Sequence, residues 1–474
     1  MKPQRYAQPL SSALPTQGPV VAPPPGTAAL LLMLAGTFMV VLDFFIVNVA
    51  LPSFQHDLHA SSGALQLVVA GYGLANAAGV ITGGRLGDLY GRRRVFMLGM
   101  LLFALASLAC GLAPNSTTLI VARVLQGAAG AVMQPQVLAM IGLAFAGEKR
   151  IKAFAAYGLT LGMGAALGQL IGGLLIDANL FGLGWRNCFL INLPIAAVAL
   201  LLAPRFIPPL ANTGTSRLDP KGMLLAAATS TAVVLPLVEG REQGWPVWSF
   251  VVLAASAPLL ALFLSQQKRL AAAGGAPLVA PGLLAHGGFV AGLGVSLVFY
   301  IGNAALYFVL ALHLQQRLGL SALMSGLVFT VMAVGFFIAS MAAPRLARRF
   351  GGAPIARGAL LLALAHLLQF ANLEFLPAQE AFWVMLPLLF VQGGGLGVVV
   401  APQVSSILAG LPPQHAGVAS GVLSMVQQVG NALGVALVGI VYYAHGLPGS
   451  LLYLACTALG VAVLWPRVTA SCRN

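Results

Sequence analysis

The chain has 474 residues, of which 59% are hydrophobic and only 7% are charged. Soluble domains carry about 25% charged residues, so this composition argues against a water-soluble fold. A net charge of +14 would suggest nucleic-acid binding in a soluble protein. Here, however, the basic residues lie in short clusters between apolar runs of about 20 residues or more, which indicates a lipid bilayer and no nucleic acid as the partner.

The sequence predicts neither a secretory signal nor a cysteine-based site. Residues 1–26 are rich in Pro, Gln and Ser and lack the apolar stretch of a secretory signal, so we interpret them as a disordered cytoplasmic tail. The four cysteines (Cys110, Cys188, Cys456 and Cys472) are scattered without a Cys-x-x-Cys pair. They therefore predict neither a disulfide framework nor a zinc site, and no cofactor or metal is expected.

The rest of the chain consists of long apolar runs. In lipid, backbone groups must be satisfied within their own segment, so each run predicts a transmembrane helix of about 20 residues. The chain is thus predicted to be an all-α membrane protein with fourteen helices, numbered here in chain order. The runs lie near residues 28–50, 64–84, 95–113, 117–143, 153–176, 188–207, 221–238, 246–265, 286–311, 321–343, 355–373, 381–408, 416–442 and 448–465.

The distribution of basic residues predicts the orientation. An even number of helices places both termini on one side of the membrane. If that side is the cytoplasm, twenty of the 24 Lys and Arg residues lie inside, three lie outside (Arg186, Arg241 and Arg317) and one, Arg123, lies within a helix. Such an excess is typical of cytoplasmic loops. We predict a multi-pass protein of a bacterial inner (plasma) membrane with both termini cytoplasmic.

The two halves of the chain share an internal repeat. The loop after helix 2, residues 84–91, resembles the loop after helix 10, residues 344–351, at a spacing of 260. A Gln-Gly pair at residues 126–127 recurs at 392–393, displaced by 266. Glycines of helix 5 recur in helix 13, Gly168 as Gly430 and Gly172 as Gly434. Repeats of this kind are typical of secondary transporters.

The repeat predicts two six-helix bundles, helices 1 to 6 and 9 to 14, with helices 7 and 8 inserted between them. The predicted organisation is a tail (1–26), an N-terminal bundle (27–207), the inserted helices with their loops (208–284), a C-terminal bundle (285–466) and a second cytoplasmic tail (467–474).

Four motifs carry a resemblance to a known family. They are the helix 1 run from Leu42-Asp43 to Pro52, the loop Gly-x-Leu-x-Asp-x-x-Gly-Arg-Arg at residues 84–93, Arg123-x-x-Gln-Gly in helix 4, and the glycine-rich residues 164–173 in helix 5. Together they resemble the major facilitator superfamily, specifically its fourteen-helix drug/proton antiporters. The resemblance covers nearly the whole chain after residue 28 and implies two bundles that alternate access. Gln169 stands where the antiporter motif has proline, which puts the kink of helix 5 in doubt.

Asp43 is the candidate proton-coupling residue. It lies about fifteen residues into helix 1, where an unpaired charge costs at least about 2.5 to 3.5 kcal/mol, so it should face a cavity instead of lipid. A buried carboxylate can bind and release protons near neutral pH. The alternative is a carboxylate held permanently in a hydrogen-bond network between helices.

Arg123 is the second candidate for proton coupling. It shares one face of helix 4 with Gln126, Gly127, Gly130 and Gln134 at steps of three and four residues, which predicts a polar stripe beside a cavity. The resemblance links this arginine to coupling. Because arginine keeps its proton, it would tune Asp43 or hold water. The alternative is a packing anchor between helices.

Two further motifs concern conformational change. The resemblance implies a gate in the loop after helix 2 that pins the halves together, although ordinary positive-inside charge is the alternative. Gly164, Gly168 and Gly172 form a continuous small-residue edge on helix 5, suited to a sliding interface between halves or to plain tight packing. The predicted gate residues are Gly84, Arg85, Asp88, Gly91, Arg92 and Arg93, and the predicted antiporter packing residues are Gly164, Gly168, Gly172 and Gly173.

Helices 1, 4, 9 and 12 should line a substrate cavity if the family arrangement applies. Aromatic and polar residues with few charges suit apolar or cationic amphiphiles. Each residue singly is also explained as an interhelical hydrogen-bonding group, and so are His366 and Gln369 of helix 11. The candidates are Asn48, Tyr72, Asn76, Gln126, Gln134, Tyr300, Asn303, Tyr307, Gln392, Gln428 and Asn431.

These patterns predict a non-enzymatic secondary transporter. The chain lacks a Gly-x-x-x-x-Gly-Lys-Ser/Thr run, so an ion gradient should supply the energy. The predicted function is proton-coupled export of small amphipathic or cationic compounds, which is multidrug efflux. One chain would be enough for this function, and the sequence leaves open whether a periplasmic adaptor takes part. The alternatives are an exporter of one endogenous metabolite, an uptake symporter, and a membrane sensor that transports nothing.

Overall fold

A computed structural model of the protein describes residues 26–145, 147–209, 218–279, 281–284, 286–350, 354–409 and 416–471. Residues 1–25 of the first predicted tail and 472–474 of the second lie outside the described residues, as does the end of the second loop motif, whereas residues 467–471 continue the last helix. The helices are α1 Thr27–Leu58, α2 Ser62–Tyr90, α3 Arg92–Gly111, α4 Ser116–Ala144, α5 Gly147–Ala178, α6 Gly184–Phe206, α7 Pro220–Glu242, α8 Val247–Ala272, α9 Gly287–Leu312, α10 Ala322–Phe350, α11 Pro354–Phe375 and α12 Ala378–Ala409.

The last helical segment, Ala416–Ser471, contains two membrane helices. Its 48-residue apolar part would be about 72 Å long as one helix, more than twice the thickness of a bilayer core. At Gly446 the backbone leaves helical geometry, with φ 66° and ψ −160°. We therefore divide it into α13, residues 416–445, and α14, residues 447–471. With this division, the thirteen apolar helices found in the described residues give the fourteen spans that the sequence predicts.

Local signals fix several helix starts. Ser61 accepts a hydrogen bond from the Ala64 N–H at 3.1 Å, and Asn115 accepts one from the Thr118 N–H at 2.8 Å. Such side chains satisfy backbone donors that a helix leaves unpaired at its N-terminus. Gly91 ends α2 with φ 92°, a conformation that favours glycine, so the chain turns directly into α3.

The internal repeat is confirmed by equivalent packing in the two bundles. Gly127 of α4 lies against the backbone carbonyl of Tyr72 in α2, and Gly393 of α12 lies against the carbonyl of Met332 in α10. Tyr72 and Met332 are 260 residues apart and the two glycines are 266 apart, the same displacements found in the sequence. Helix pairs α2–α4 and α10–α12 are therefore related copies.

The inserted helices lie beside both bundles. Val234 and Val238 of α7 are buried in one apolar cluster with Ala70 of α2 and with Ala432 and Ala436 of α13. Helix α7 thus contacts one helix from each half, whereas α8 packs mainly on α7.

Candidate functional site

Asp43 lies at the centre of a buried polar network inside the N-terminal bundle. The side chain is fully buried, and one carboxylate oxygen, Oδ2, accepts a hydrogen bond from Arg123 of α4 within an ion pair. The other oxygen, Oδ1, accepts from Gln126 Nε2 at 2.8 Å and from Asn192 Nδ2 of α6 at 2.9 Å. Ser107 of α3 accepts from the same two amides, at 2.8 and 3.3 Å. The carboxylate is therefore surrounded by three donors from two neighbouring helices.

Arg123 is held by groups from several helices. Its Nε donates to the Val68 carbonyl of α2 at 3.1 Å, and its Nη1 donates to Gln126 Oε1 at 2.6 Å as well as to Asp43. The guanidinium carbon lies 4.2 Å from the centroid of the Tyr72 ring, a cation–π distance. This fully buried arginine therefore links α1, α2 and α4.

Two members of this network were predicted from the sequence pattern of helix 4, and two others were not predicted. The three-and-four spacing on helix 4 placed Arg123 and Gln126 on the same face, and both are fully buried beside Asp43. Ser107 and Asn192 were not among the predicted site residues. Neither carries a periodic signal, since each is a single small or amide residue in an apolar run, and only helix packing brings them to the carboxylate. In this conformation Asp43 is in the hydrogen-bond network that the sequence left as the alternative.

The predicted gate residues divide between two kinds of contact. Arg85 donates to the carbonyls of Ala276 and Pro277, in the segment between the inserted helices and the C-terminal bundle. Asp88 forms an ion pair with Arg92 one turn later. Arg93 donates to the Ile207 carbonyl at 3.0 Å, at the end of α6. Arg85 thus reaches beyond the N-terminal bundle, whereas these contacts of Asp88, Arg92 and Arg93 stay within it.

The two glycines of this loop have different surroundings. Gly84 lies near Pro135 of α4, and Gly91 forms the turn between α2 and α3. Gly84 allows α2 and α4 to approach closely, and Gly91 allows the chain to reverse direction. Neither residue has a side chain that could contact a substrate.

The glycine edge of α5 faces α1 instead of the other half. Gly164 lies against Val41, Gly168 against Phe45, and Gly172 against Ile46. Of the two alternatives that the sequence left open, these contacts correspond to tight packing, because the four-residue spacing aligns the three glycines on the side of α5 that packs inside its own bundle. One position further along, Gly173 points about 100° away and meets Ala322 of α10.

Three predicted cavity residues connect the two bundles. Gln428 of α13 donates to Asn76 Oδ1 of α2 at 3.2 Å, and Asn431 Nδ2 donates to Gln428 Oε1 at 3.0 Å. Asn76 in turn donates to the Gly127 carbonyl at 3.3 Å. A second connection is aromatic, because the rings of Phe45 and Tyr307 lie 4.8 Å apart between α1 and α9.

The other predicted cavity residues lie in separate places. Tyr72 and Gln126 belong to the Asp43 network, Asn48 donates to the Phe44 and Phe45 carbonyls of its own helix, and Gln134 hydrogen-bonds Tyr157 of α5. Asn303 lines a small cavity inside the C-terminal bundle, Gln392 is buried, and Tyr300 packs edge-on against Phe299. In this conformation the candidates do not form one continuous lining.

The family follows from comparison of the whole chain with known proteins. The model of the Major Facilitator Superfamily matches residues 33–434 and 292–471. The chain belongs to the Major Facilitator Superfamily. The resemblance and the fold class predicted from the motifs are thereby confirmed, and the protein is a multi-pass membrane protein of a transporter family.

Two curated relatives and one solved structure extend this assignment. A probable actinorhodin transporter from Streptomyces coelicolor is 38% identical over 458 residues, which cover 95% of this chain and 79% of that protein. A puromycin resistance protein from Streptomyces alboniger is 38% identical over 448 residues, covering 93% and 86%. The crystal structure of a D-xylose-proton symporter superposes with a TM-score of 0.65 at 15% identity, covering 92% and 96%, and shows the shared fold.

In a transporter of this superfamily the buried pair has a specific chemical capability. Protonation of Asp43 would remove its negative charge. Arg123 would then keep its contacts with the Val68 carbonyl and the Tyr72 ring but would have lost its negatively charged partner. A change of one charge in a dry helix interface alters the balance between packing arrangements. The geometry therefore allows proton binding to be converted into movement of α1 relative to α4.

Proposed function

We propose that this protein exports small amphipathic compounds across the bacterial inner membrane in exchange for protons, by alternating access of its two bundles. The observation that carries the proposal is the fully buried Asp43–Arg123 pair. In a chain of this superfamily, an ionisable residue placed at membrane depth marks an ion pathway by default.

The membrane orientation is part of the proposal. We place both termini in the cytoplasm because the positive-inside rule assigns most basic residues to that side. In that orientation Arg85 lies at the cytoplasmic end of α2, where its contacts with Ala276 and Pro277 can act as a reversible gate. The outer end of α1 then meets the π-helical turn His313–Arg317, which directly follows α9, through Gln55 and Gln316.

The substrates proposed are antibiotic-like amphipathic compounds, lipophilic cations included. The two curated relatives are named for actinorhodin and for puromycin, and each covers nearly the whole chain. The aromatic and amide residues that join the bundles, including Tyr307, Asn76 and Gln428, can contact rings and polar groups without a compensating charge. We therefore infer recognition by shape and ring contacts.

Proton coupling requires that Asp43 meet water in a second conformation. Here the carboxylate is fully buried and engaged by Arg123, Gln126 and Asn192. Movement that opens α1 from α4 and α6 would remove these donors and admit water, and a proton would then neutralise the acid. Return to the packed arrangement would expel the proton as the arginine re-forms its ion pair.

Transport into inverted membrane vesicles tests the proposal. Vesicles made from cells that express the protein should accumulate a fluorescent cationic dye when their lumen is acidified, since the interior corresponds to the outside of the cell. Asp43→Asn should abolish the dependence on the proton gradient. The matched control is Asp177→Asn, an exposed carboxylate at the end of α5, which should retain wild-type transport.

The alternatives give different results in the same vesicles. Asp43→Asn protein that moves dye at the wild-type rate under the proton gradient would overturn the coupling role of this residue. A symporter would lose dye from an acidified lumen, and a sensor would show no gradient-dependent movement. The membrane content of each variant, measured by immunoblot, separates loss of transport from loss of protein.

A further inference from the structure

The start of the inserted helices contains a buried carboxylate that the proposed export mechanism does not use. Asp219 directly precedes α7, is 4% exposed, and accepts a hydrogen bond from the Gly222 N–H at 2.8 Å. A side chain in this position caps the helix by satisfying a backbone donor. A methyl group on Gly222 would overlap Asp219 Oδ2, so the glycine leaves the space that the carboxylate occupies.

Two amides from the end of α8 complete the surroundings of this carboxylate. Gln266 Nε2 donates to Asp219 Oδ1 at 3.0 Å, and Gln267 Nε2 donates to Asp219 Oδ2 at 2.6 Å. These bonds join the start of α7 to the end of α8. The backbone N–H and the two amides satisfy the carboxylate oxygens but do not cancel a charge, and a buried charge is costly unless an opposite charge lies near it.

The segment that leads from α8 towards α9, residues 274–279 and here called the connector, is attached to the same amide. Gly274 follows α8 with φ 68°, a conformation that favours glycine, and the chain turns back there. The Val279 N–H then donates to Gln267 Oε1 at 3.0 Å. Gln267 therefore binds Asp219 with its nitrogen and the connector with its oxygen.

Arg85 of α2 reaches the connector from the N-terminal bundle. It donates to the carbonyls of Ala276 and Pro277, and it interacts electrostatically with Asp219 as well as with Asp88. Opposite charges attract each other more strongly where water is excluded. The guanidinium thus supplies the positive charge that the neutral donors around Asp219 lack.

We propose that Asp219 is a positioning residue of the cytoplasmic gate, and that the inserted helices thereby belong to this gate. Its carboxylate holds the connector through Gln267, which keeps the two carbonyls in reach of Arg85, and its charge favours the bound arginine. When Arg85 leaves, the buried carboxylate is left with its three neutral donors, so opening has an electrostatic cost. This role rests on the proposed transport cycle, in which α2 separates from the connector.

The separation of α2 from the connector can be measured on the purified protein in lipid nanodiscs, independently of transport. Spin labels are attached to Tyr90→Cys at the end of α2 and to Ala273→Cys just after α8, since both positions are exposed. Cys456 and Cys472 are replaced by serine in this background. Double electron–electron resonance should then show a short-distance population that corresponds to the closed gate.

The charge of Asp219 is tested with two substitutions that preserve helix capping. Asp219→Asn and Asp219→Ser both keep an oxygen that can cap α7, and both remove the charge. Each should reduce the short-distance population several-fold. Lys221→Gln, which removes an exposed charge two residues further along, should leave this population unchanged. An unchanged distance distribution in both Asp219 variants would overturn the proposal.

Dependence on Arg85 separates a role in the gate from a structural role in the insertion. Arg85→Gln should itself reduce the short-distance population, and Asp219→Asn should then add little further, because the two residues act on one contact. If Asp219→Asn has the same effect with and without Arg85, the carboxylate acts on the inserted helices alone and the proposal is wrong.

The consequence for transport is measured in the inverted vesicles. Asp219→Asn should lower dye uptake several-fold, and Lys221→Gln should retain the wild-type rate. Wild-type transport by Asp219→Asn protein would contradict its role in the gate. Failure of the unmodified protein to transport would refute the export function, whereas the distance measurements would still decide whether Asp219 holds Arg85 at the connector.

Discussion

At the scale of single residues, the Asp43–Arg123 pair places two opposite charges in the interior of the N-terminal bundle. Both side chains are fully buried, so each depends on the other for neutralisation. Removing one member of such a pair typically costs about 3–5 kcal/mol, because an uncompensated charge is left in a low-dielectric interior. The amides of Gln126 and Asn192 and the ring of Tyr72 reduce the desolvation cost but do not cancel a charge.

This dependence predicts non-additive changes in stability. Asp43→Asn and Arg123→Gln should each lower the thermal unfolding temperature in detergent, and the double variant should lose less than the sum of the two. The expected coupling is about 0.5–3 kcal/mol, typical of residues in direct contact. Thermal denaturation of the four proteins measures it as a double-mutant cycle.

An exposed ion pair supplies the control for this cycle. Glu148 and Lys152 of α5 are 3.2 Å apart with side chains 80% and 75% exposed, so their substitutions by glutamine should be nearly additive. If the losses of stability from Asp43→Asn and Arg123→Gln were as additive as those of the exposed pair, the two buried residues would not stabilise each other.

At the scale of helices, glycines determine which helices approach closely. Gly127 and Gly393 bring α4 onto α2 and α12 onto α10, with backbone in contact with backbone. In a membrane, helices gain little from hydrophobic burial against each other, so close van der Waals packing across small residues stabilises their association. The same type of helix contact therefore occurs once in each bundle.

Alanine substitutions test this packing. Gly127→Ala and Gly393→Ala should each destabilise the protein by about 1–3 kcal/mol, because the added methyl group meets a carbonyl that cannot move without shifting a helix. Gly158→Ala on α5 is the control, since no atom lies within 4 Å of its added methyl group. Replacement of this helical glycine should be neutral or stabilise by about 0.5–1 kcal/mol. Thermal denaturation of the three variants compares them, and similar losses at all three positions would contradict the packing account.

At the scale of the whole molecule, the two bundles meet at several sites that alternating access must loosen in turn. Gly173 of α5 contacts Ala322 of α10, and Asn76 of α2 bonds Gln428 of α13. Between the turn that follows α9 and the end of α1, Gln316 Nε2 donates to Gln55 Oε1 at 2.6 Å. This last contact is between exposed side chains, so it can be altered without disturbing the interior.

Locking that contact should stop transport. In a background with Cys456 and Cys472 replaced by serine, Gln55→Cys with Gln316→Cys should be joined by a short bismaleimide, and efflux should cease in the joined fraction. Each single-cysteine variant treated with the reagent should remain active. A cross-linked protein that transports dye at the untreated rate would show that α1 and α9 do not separate here during the cycle.

The sequence by itself determined the elements of this protein. Each backbone group in lipid has to be satisfied within its own helix, so apolar runs predict the helices from local information alone. The displacements of 260 and 266 residues likewise predict which helices correspond, and the packing of Gly127 and Gly393 follows them. Asp43 and Arg123 were identifiable because charges are rare and costly at membrane depth.

Only the tertiary structure decided which polar groups meet. The rotation and height of each helix place Ser107 and Asn192 beside Asp43, turn the glycine edge of α5 towards α1, and distribute the predicted cavity residues over several sites. These relations depend on contacts between residues far apart in the chain, and an apolar run with a single serine or asparagine does not encode them.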